Sequence, residues 1–206
     1  SITSVKFSPN GEFIATVDND GEVNLWDLLG KNLFQFRHPS LTSIKLLSFS
    51  PDGNSIAIAG LSNLVIIWNL YENQILQINS HHIKINTLDF SPNSQYLLTA
   101  GEELTIKLWD LSHKYVSKWQ AHQNSVYYIG FTPDKQNILT QGADGKIILW
   151  DIHNHKIAEF DDSKYWCRNA SFSPDMQHLA TVSSDGKVRI WQIKKHQNSS
   201  STNMYI

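Results

Sequence analysis

The sequence predicts an all-β fold made of five copies of one four-stranded unit, each about 41 residues long. The first observation is a Phe-Ser/Thr-Pro tripeptide that recurs in steps of 42, 41, 41 and 41 residues; its phenylalanines are Phe7, Phe49, Phe90, Phe131 and Phe172. The second is a tryptophan that keeps the same steps, at Trp26, Trp68, Trp109, Trp150 and Trp191. Two independent markers with one period indicate an internal repeat, and a repeat decides the architecture of the whole chain.

The first half of each unit predicts a hairpin. The first strand ends on the recurring phenylalanine and has an apolar residue two positions earlier, such as Val5 before Phe7, which is typical of a strand with one buried face. Ser-Pro-Asp-Gly at residues 50–53 then predicts a tight turn, because proline presets the backbone and glycine allows the reversal. After a second strand, Asp-Gly pairs such as Asp144-Gly145 predict the next hairpin.

The second half of each unit predicts sheets stacked against one another. The third strand is nearly solid apolar in two units, at Val65–Trp68 and Ile147–Trp150. A strand that is apolar on both sides must be covered on both faces, so each sheet is expected to lie between two others. A fourth strand is predicted ten residues beyond the tryptophan, at the positions of Phe36, Ile78, Trp119 and Phe160.

Composition limits the class of protein. The chain has 206 residues, of which 41% are hydrophobic and 17% charged, and a net charge of −2. This balance is typical of a soluble globular protein, and we expect a cytoplasmic one that binds neither nucleic acid nor a membrane, because it has no strong positive charge and no long apolar run. The single Cys167 rules out an internal disulfide framework.

With its Trp-Asp pairs, Phe-Ser-Pro turns and 41-residue period, the sequence resembles the WD-repeat (WD40) β-propeller family over residues 1–193. The pairs are Trp26-Asp27, Trp109-Asp110 and Trp150-Asp151. In finer detail, segments such as Trp26-Asp27-Leu28-Leu29-Gly30-Lys31 resemble the C-terminal arrays of large bacterial, cyanobacterial-type WD-repeat proteins. The resemblance implies blades set radially around a central channel, with the first strand of each blade innermost. The blades are then residues 1–37, 38–79, 80–120, 121–161 and 162–193, followed by a polar tail at 194–206.

The resemblance also implies a chain of hydrogen bonds inside each blade, linking a histidine, a hydroxyl, an aspartate and the tryptophan. Blade 4 has the full set and blades 5 and 1 have part of it, so the residues expected to form it are His122, Thr140, Asp144 and Trp150; Thr181, Asp185 and Trp191; and Thr16, Asp20 and Trp26. Blade 3 has Glu103 at the aspartate position, and blade 2, with Ile58 and Asn63, is expected to lack most of the set. The set looks like a Ser-His-Asp triad, but its recurrence in successive blades indicates a structural role.

The array is expected to be an incomplete propeller. The first unit starts inside its first strand, the fifth has no convincing outer strand, and propellers of the resembled family usually close with seven blades. We therefore expect part of a larger multidomain protein, with possible self-association through open blade edges. The alternative is a closed five-bladed ring.

The sequence predicts a binding scaffold, and it carries no phosphate-binding glycine loop, Cys-x-x-Cys or nucleophile elbow. Its close histidine pairs, His81-His82 and His153/His155, fall in predicted loops without a third ligand at metal-binding spacing. We predict a non-catalytic protein–protein interaction scaffold without metal or cofactor, which binds protein or peptide partners on a propeller face. The alternative is a propeller enzyme or a metal-dependent binding protein.

The docking face that the resemblance implies lies at one end of the channel, at residues before each inner strand and before each inner hairpin. Its expected partner-binding residues are Lys84, Asn86, Glu102, Tyr127, Trp166 and Arg168. Trp166 is the tryptophan that no repeat position explains, and tryptophan, tyrosine and arginine dominate the binding energy of interfaces. The alternative for Trp166 is packing against Tyr165 or Cys167.

Overall fold

A computed structural model gives the fold of residues 1–37, 44–112, 114–161 and 167–193, leaving aside the side chains at 114–116 and 167–169. These residues form nineteen β-strands in five antiparallel sheets, without a helix. Each sheet consists of strands that follow one another in the chain, so each sheet is one repeat unit. The predicted all-β fold of blades is confirmed.

In each blade the first strand is innermost and the later strands follow outward in chain order. Blade 1 consists of β1 (Ile2–Phe7), β2 (Phe13–Asp18), β3 (Glu22–Asp27) and β4 (Asn32–Arg37). Blade 2 consists of β5 (Leu46–Phe49), β6 (Ser55–Ala59), β7 (Leu64–Asn69) and β8 (Gln74–Asn79). Blade 3 consists of β9 (Ile85–Phe90), β10 (Tyr96–Gly101), β11 (Thr105–Asp110) and β12 (Lys114–Gln120). Blade 4 consists of β13 (Val126–Phe131), β14 (Asn137–Gly142), β15 (Lys146–Asp151) and β16 (Lys156–Asp161). Blade 5 consists of β17 (Cys167–Phe172), β18 (His178–Ser183) and β19 (Val188–Gln192).

The recurring serine or threonine closes the turn after each inner strand. In blade 2 the Ser50 hydroxyl donates to Asp52 Oδ1 (2.5 Å) and accepts the amide of Ser55 (2.9 Å). Ser173 makes the same pair of bonds with Asp175 and His178 in blade 5. The hydroxyl therefore holds the strand ends together where the backbone must reverse.

The aspartate of each Trp-Asp pair closes the turn after the third strand. Asp151 Oδ1 accepts the amides of His153 and His155, each at 2.8 Å. In blade 2, where asparagine replaces aspartate, Asn69 Oδ1 accepts the amides of Tyr71 and Glu72 at 3.0 and 2.9 Å. An asparagine serves as well because only an acceptor oxygen is needed.

The hydrophobic core is divided into four clusters, one between each pair of successive blades. The third strand β7 illustrates why its sequence is apolar throughout. Ile66 and Trp68 pack in the cluster shared with blade 1, whereas Val65 and Ile67 pack in the cluster shared with blade 3. A central blade is thus covered on both faces, as a solid apolar strand requires.

The array does not close into a ring. Val5 and Phe7 of blade 1 are 58% and 65% exposed, whereas the matching Leu47 and Phe49 of blade 2 are buried. At the other end of the array, Val188 and Ile190 of blade 5 are 65% and 59% exposed. The structure is an incomplete propeller with two open blade faces, and the alternative of a closed five-bladed ring is wrong.

Candidate partner-binding site at the channel mouth

Blade 4 contains a continuous chain of side-chain hydrogen bonds. His122 Nδ1 lies 2.9 Å from Asp144 Oδ1, and His122 Nε2 lies 2.9 Å from Thr140 Oγ1. The same hydroxyl accepts the indole N–H of Trp150 at 2.9 Å. Burial tends to raise the pKa of Asp144, but hydrogen bonds from His122 and the Gln123 amide outweigh it and hold the pKa below its usual range.

The backbone of Gly142 lies so close to His122 and Asp144 that no side chain fits at this position. A Cβ on Gly142 would lie 2.4 Å from His122 Nδ1 and 2.5 Å from Asp144 Oδ1. The glycine is therefore needed for the approach of the imidazole and the carboxylate.

Blade 3 builds the same arrangement around a longer carboxylate. His81 Nε2 lies 3.0 Å from Thr99 Oγ1, and His81 Nδ1 lies 3.0 Å from Glu103 Oε2. Burial raises the pKa of Glu103, but hydrogen bonds from the His82 amide, Lys107 and His81 lower it to about 2. Burial lowers the pKa of His81. The sequence predicts a surface loop at this histidine, but its side chain is only 2% exposed.

The other blades keep only parts of the arrangement. In blades 1 and 5 the indole N–H donates to a threonine, from Trp26 to Thr16 at 2.9 Å and from Trp191 to Thr181 at 3.0 Å. Asp185 Oδ2 lies 2.8 Å from Arg189. In blade 1 the hairpin amides of Asp20 and Glu22 donate to Asp18, not to Asp20. In blade 2 the indole of Trp68 turns to Asn73 Oδ1 at 3.1 Å.

In four of the inner strands, a β-bulge interrupts the pairing with the second strand close to the start of the inner strand. The register shifts at Thr3 in β1, Asn86 in β9, Tyr127 in β13 and Arg168 in β17. Three of the predicted partner-binding residues therefore stand at the same structural position. A β-bulge adds one residue to a strand and redirects its side chain, and bulges are common beside functional sites.

The bulge residues of blades 1 and 3 each form a hydrogen bond to the next blade along the chain. Thr3 Oγ1 donates to the carbonyl of Ile44 in blade 2 at 2.9 Å. Asn86 Nδ2 donates to the carbonyl of Val126 in blade 4 at 3.0 Å. Ile44 and Val126 each lie five residues before the recurring phenylalanine of their blade, so the two bonds join matching positions. Asn86 is thus engaged in holding blade 3 to blade 4.

The bulge residue of blade 4 is presented differently. Tyr127 directly follows Val126, whose carbonyl Asn86 occupies, and its side chain is 48% exposed. A phenol of this size presents a large apolar face with a polar tip, a combination that is enriched in protein interfaces.

Lys84 and Glu102 flank the same mouth on blade 3. The amide of Glu102 donates to the carbonyl of Lys84 at 3.2 Å, with Lys84 half-buried and the Glu102 side chain exposed. This close approach requires Gly101, because a Cβ there would lie 2.1 Å from the Lys84 carbonyl oxygen. The structure therefore brings together Lys84, Asn86, Glu102 and Tyr127 at the start of inner strands β9 and β13. Trp166 lies outside the described residues, as does the side chain of Arg168.

Below the mouth, the inner strands line a cavity of about 400 Å³ in the channel. Its wall includes Lys6 and Lys45 from blades 1 and 2 and Asp89 and Tyr128 from blades 3 and 4. Asp89 Oδ2 accepts the amide of Phe131 at 3.0 Å, which adds a further link between blades 3 and 4. Burial raises the pKa of Asp89 to about 6, and burial together with the charge of Asp89 raises the pKa of Tyr128. The sequence reasoning did not find Asp89, because an inner-strand aspartate has no marker beyond its place in the repeat.

The described residues contain no group of three histidine, cysteine, aspartate or glutamate side chains placed to hold a metal ion. The described part of the chain also has no helix long and apolar enough to cross a membrane.

The comparison with known families agrees with the blade architecture. A family model described as the IFT122 first beta-propeller matches residues 1–192. The chain belongs to this β-propeller family. The match covers all five blades but not the tail, so the membership concerns the whole described array. No curated protein matches the chain. The likeness to bacterial arrays stays a prediction.

Proposed function

We propose that the chain is a non-catalytic scaffold that binds a protein or peptide segment at the channel mouth of blades 3 and 4. The observation that carries the proposal is the bulge position. Thr3 and Asn86 use that position to fasten blades, whereas Tyr127 exposes nearly half of its side chain there. An aromatic side chain on a rigid, hydrogen-bonded strand start has the properties of an interface anchor.

The charges near Tyr127 suggest which segment would bind. Lys84 lies on blade 3 at the same mouth as the exposed Glu102, and Arg168 follows at the bulge position of blade 5. Two basic side chains and one carboxylate around an aromatic anchor leave a small excess of positive charge. This suits a segment with an acidic residue and an aromatic or apolar one, because opposite charges speed association and fix orientation. Trp166 remains part of the proposal on sequence grounds alone. A cytoplasmic location also remains a prediction.

The proposal predicts that Tyr127→Ala weakens partner binding without unfolding the chain. Partners captured from a lysate of the source organism by immobilised wild-type chain would be identified by mass spectrometry, and their affinities measured with the purified proteins. We expect Tyr127→Ala to weaken a true partner by about 2 kcal/mol, roughly 30-fold, and Lys84→Glu mainly to slow its association.

The matched control is Tyr71→Ala, because Tyr71 is 70% exposed in the turn after the third strand of blade 2, at the other end of the strands. It should leave every affinity unchanged. Partners that survive Tyr127→Ala but are lost with Tyr71→Ala would place the docking face at the opposite end. Equal melting temperatures of the two variants exclude unfolding as the cause.

A further inference from the structure

The turn between β1 and β2 contains the one Asn-Gly pair of the sequence, Asn10-Gly11. Both residues are exposed, and Gly11 has a φ of +72°. An asparagine is most reactive towards the backbone nitrogen of the next residue when that residue is glycine, because no Cβ hinders the approach. The matching pairs of the other blades are Asp52-Gly53, Asn93-Ser94, Asp134-Lys135 and Asp175-Met176. Blade 1 alone combines the amide with a glycine.

Hydrogen bonds hold the Asn10 side chain while this turn is closed. Its Oδ1 accepts the Ser8 hydroxyl at 2.6 Å and the Glu12 amide at 3.2 Å, and its Nδ2 donates to Glu12 Oε2 at 2.9 Å. The Gly11 amide, which carries the nitrogen next to the Asn10 side chain, donates to the Ser8 carbonyl at 2.9 Å. A reaction between this nitrogen and the side-chain amide therefore requires the turn to open.

The hairpin that contains this turn is poorly covered. Val5 and Phe7 of β1 are 58% and 65% exposed, whereas the matching Leu88 and Phe90 of blade 3 are half-buried and buried. Segments with few buried apolar contacts open locally at a low cost in free energy. The first hairpin is therefore expected to open more readily than its counterpart in blade 3.

We propose that Asn10 is a site of spontaneous deamidation. In the opened turn, the Gly11 backbone nitrogen forms a bond to Asn10 Cγ. Its proton is transferred through water to the side-chain nitrogen, which leaves as ammonia, and a five-membered imide remains. Water then opens the imide at one of its two carbonyls, which gives aspartate or isoaspartate. One water is consumed and one ammonia is released, so the reaction needs no other reactant.

The product disturbs blade 1 because of its neighbour Glu12. In blade 4 the matching aspartate, Asp134, is followed two residues later by Gln136, whose side chain can donate. In blade 1, an aspartate at position 10 loses the bond from Asn10 Nδ2 to Glu12 and brings two carboxylates together. Isoaspartate also adds a methylene to the backbone, which strains a turn that the Ser8 hydroxyl closes. Deamidation is therefore expected to loosen the first hairpin.

The site is tested by holding the whole chain at pH 8 and following two asparagines by peptide mapping with mass spectrometry, with a fresh sample as the zero point. Asn10 should be converted to aspartate and isoaspartate at least about tenfold faster than Asn93, the matched asparagine, which is followed by serine. A synthetic peptide of residues 7–14 gives the rate without protection by the fold. An unchanged Asn10 after this peptide has reacted completely, or equal rates at the two asparagines, would overturn the proposal.

The consequence is tested with fresh variants in urea titrations. Asn10→Asp should lower the urea midpoint by at least about 0.2 M more in the otherwise unchanged chain than in a chain with Glu12→Gln, because glutamine can donate to the new carboxylate. Asn93→Asp is the matched control and should leave the midpoint nearly unchanged, since Gln95 already stands beside Asn93, with Asn93 Nδ2 donating to Gln95 Oε1 at 3.1 Å. Equal shifts from Asn10→Asp in both backgrounds would overturn the role given to Glu12.

Discussion

Asp89 shows how one residue of the channel wall ties stability to pH. Its carboxylate accepts the Phe131 amide across the junction of blades 3 and 4, yet burial raises its pKa from 3.8 to about 6. A carboxyl whose pKa is higher in the folded than in the unfolded chain is penalised when it ionises. The penalty is absent below about pH 4, develops as the pH rises to about 6, and is complete above that.

Asp89→Asn should therefore stabilise the fold at pH 8 and leave it nearly unchanged at pH 4. The asparagine oxygen still accepts the Phe131 amide, and no charge has to be buried, so a gain of about 1–3 kcal/mol at pH 8 is expected. Denaturant titrations at the two pH values measure the difference. Glu72→Gln, on an exposed turn of blade 2, is the control for removing a negative charge. An equal gain at both pH values would show that ionisation of Asp89 is not the cause.

Among the elements, blades 4 and 2 differ most in how they hold their third strand. Blade 4 has the bonds from His122 through Thr140 to Trp150, with Asp144 on the far side of the imidazole. Blade 2 replaces them with aliphatic packing around Ile58 and a single bond from Trp68 to its own turn. The same sheet geometry is thus stabilised by a polar network in one blade and by apolar contacts in the other.

Asp144→Ala should cost on the order of 1–3 kcal/mol, because the buried imidazole of His122 and the Gln123 amide lose their acceptor. The matched change in blade 2, Asn63→Ala, should cost well under that. The Asn63 side chain is exposed, and its backbone carbonyl, which accepts the Ser80 amide, is still present in alanine. Urea titrations of both variants give the comparison. Gly142→Ala should resemble Asp144→Ala, because its methyl group would lie where His122 and Asp144 meet. Similar losses from Asp144→Ala and Asn63→Ala would contradict the role given to the network.

The sequence predicts those features that every repeat contains. The five units, their strand order and the covering of both faces follow from Phe and Trp markers and from apolar strands such as β7. It does not predict features that depend on what a neighbouring blade offers. The bond from Asn86 to Val126 and the exposure of Ile152 depend on the register between two sheets, which no local pattern encodes.

A further unpredicted feature is Gln141. It is 0% exposed, and neither atom of its amide has a hydrogen-bond partner in the described part of the chain. The matching residues of blades 1 and 3 are Val17 and Ala100, so the repeat pattern favours an apolar residue here. A buried amide of this kind is rare, and only the packing of blade 4 reveals it.

At the scale of the whole molecule, the two open faces are the two halves of one repeated interface. Val5 and Phe7 occupy the positions that Leu47 and Phe49 use to pack on blade 1. Val188 and Ile190 occupy the positions that Val23 and Leu25 use to pack on blade 2, as their places in the repeat show. Each internal junction joins one face of each kind, so the face of blade 5 is complementary to the face of blade 1. A second copy can therefore pack head to tail, a heterologous contact.

The isolated chain is accordingly expected to self-associate as its concentration rises, since exposed apolar faces of this kind drive association. Phe7→Glu blocks one face and Val188→Lys blocks the other, and both residues are already exposed, so neither change should unfold a single copy. Each variant retains one open face, and the two remaining faces are complementary.

The openness of the array is tested most directly by sedimentation velocity of these two variants, alone and mixed, across a range of concentrations. An open array predicts that wild-type chain grows beyond 23.5 kDa with concentration, that each variant alone stays monomeric, and that an equal mixture forms a one-to-one dimer. A wild-type chain that stays at 23.5 kDa at every concentration, together with a mixture that does not dimerise, would contradict it and indicate that blades 1 and 5 close on each other.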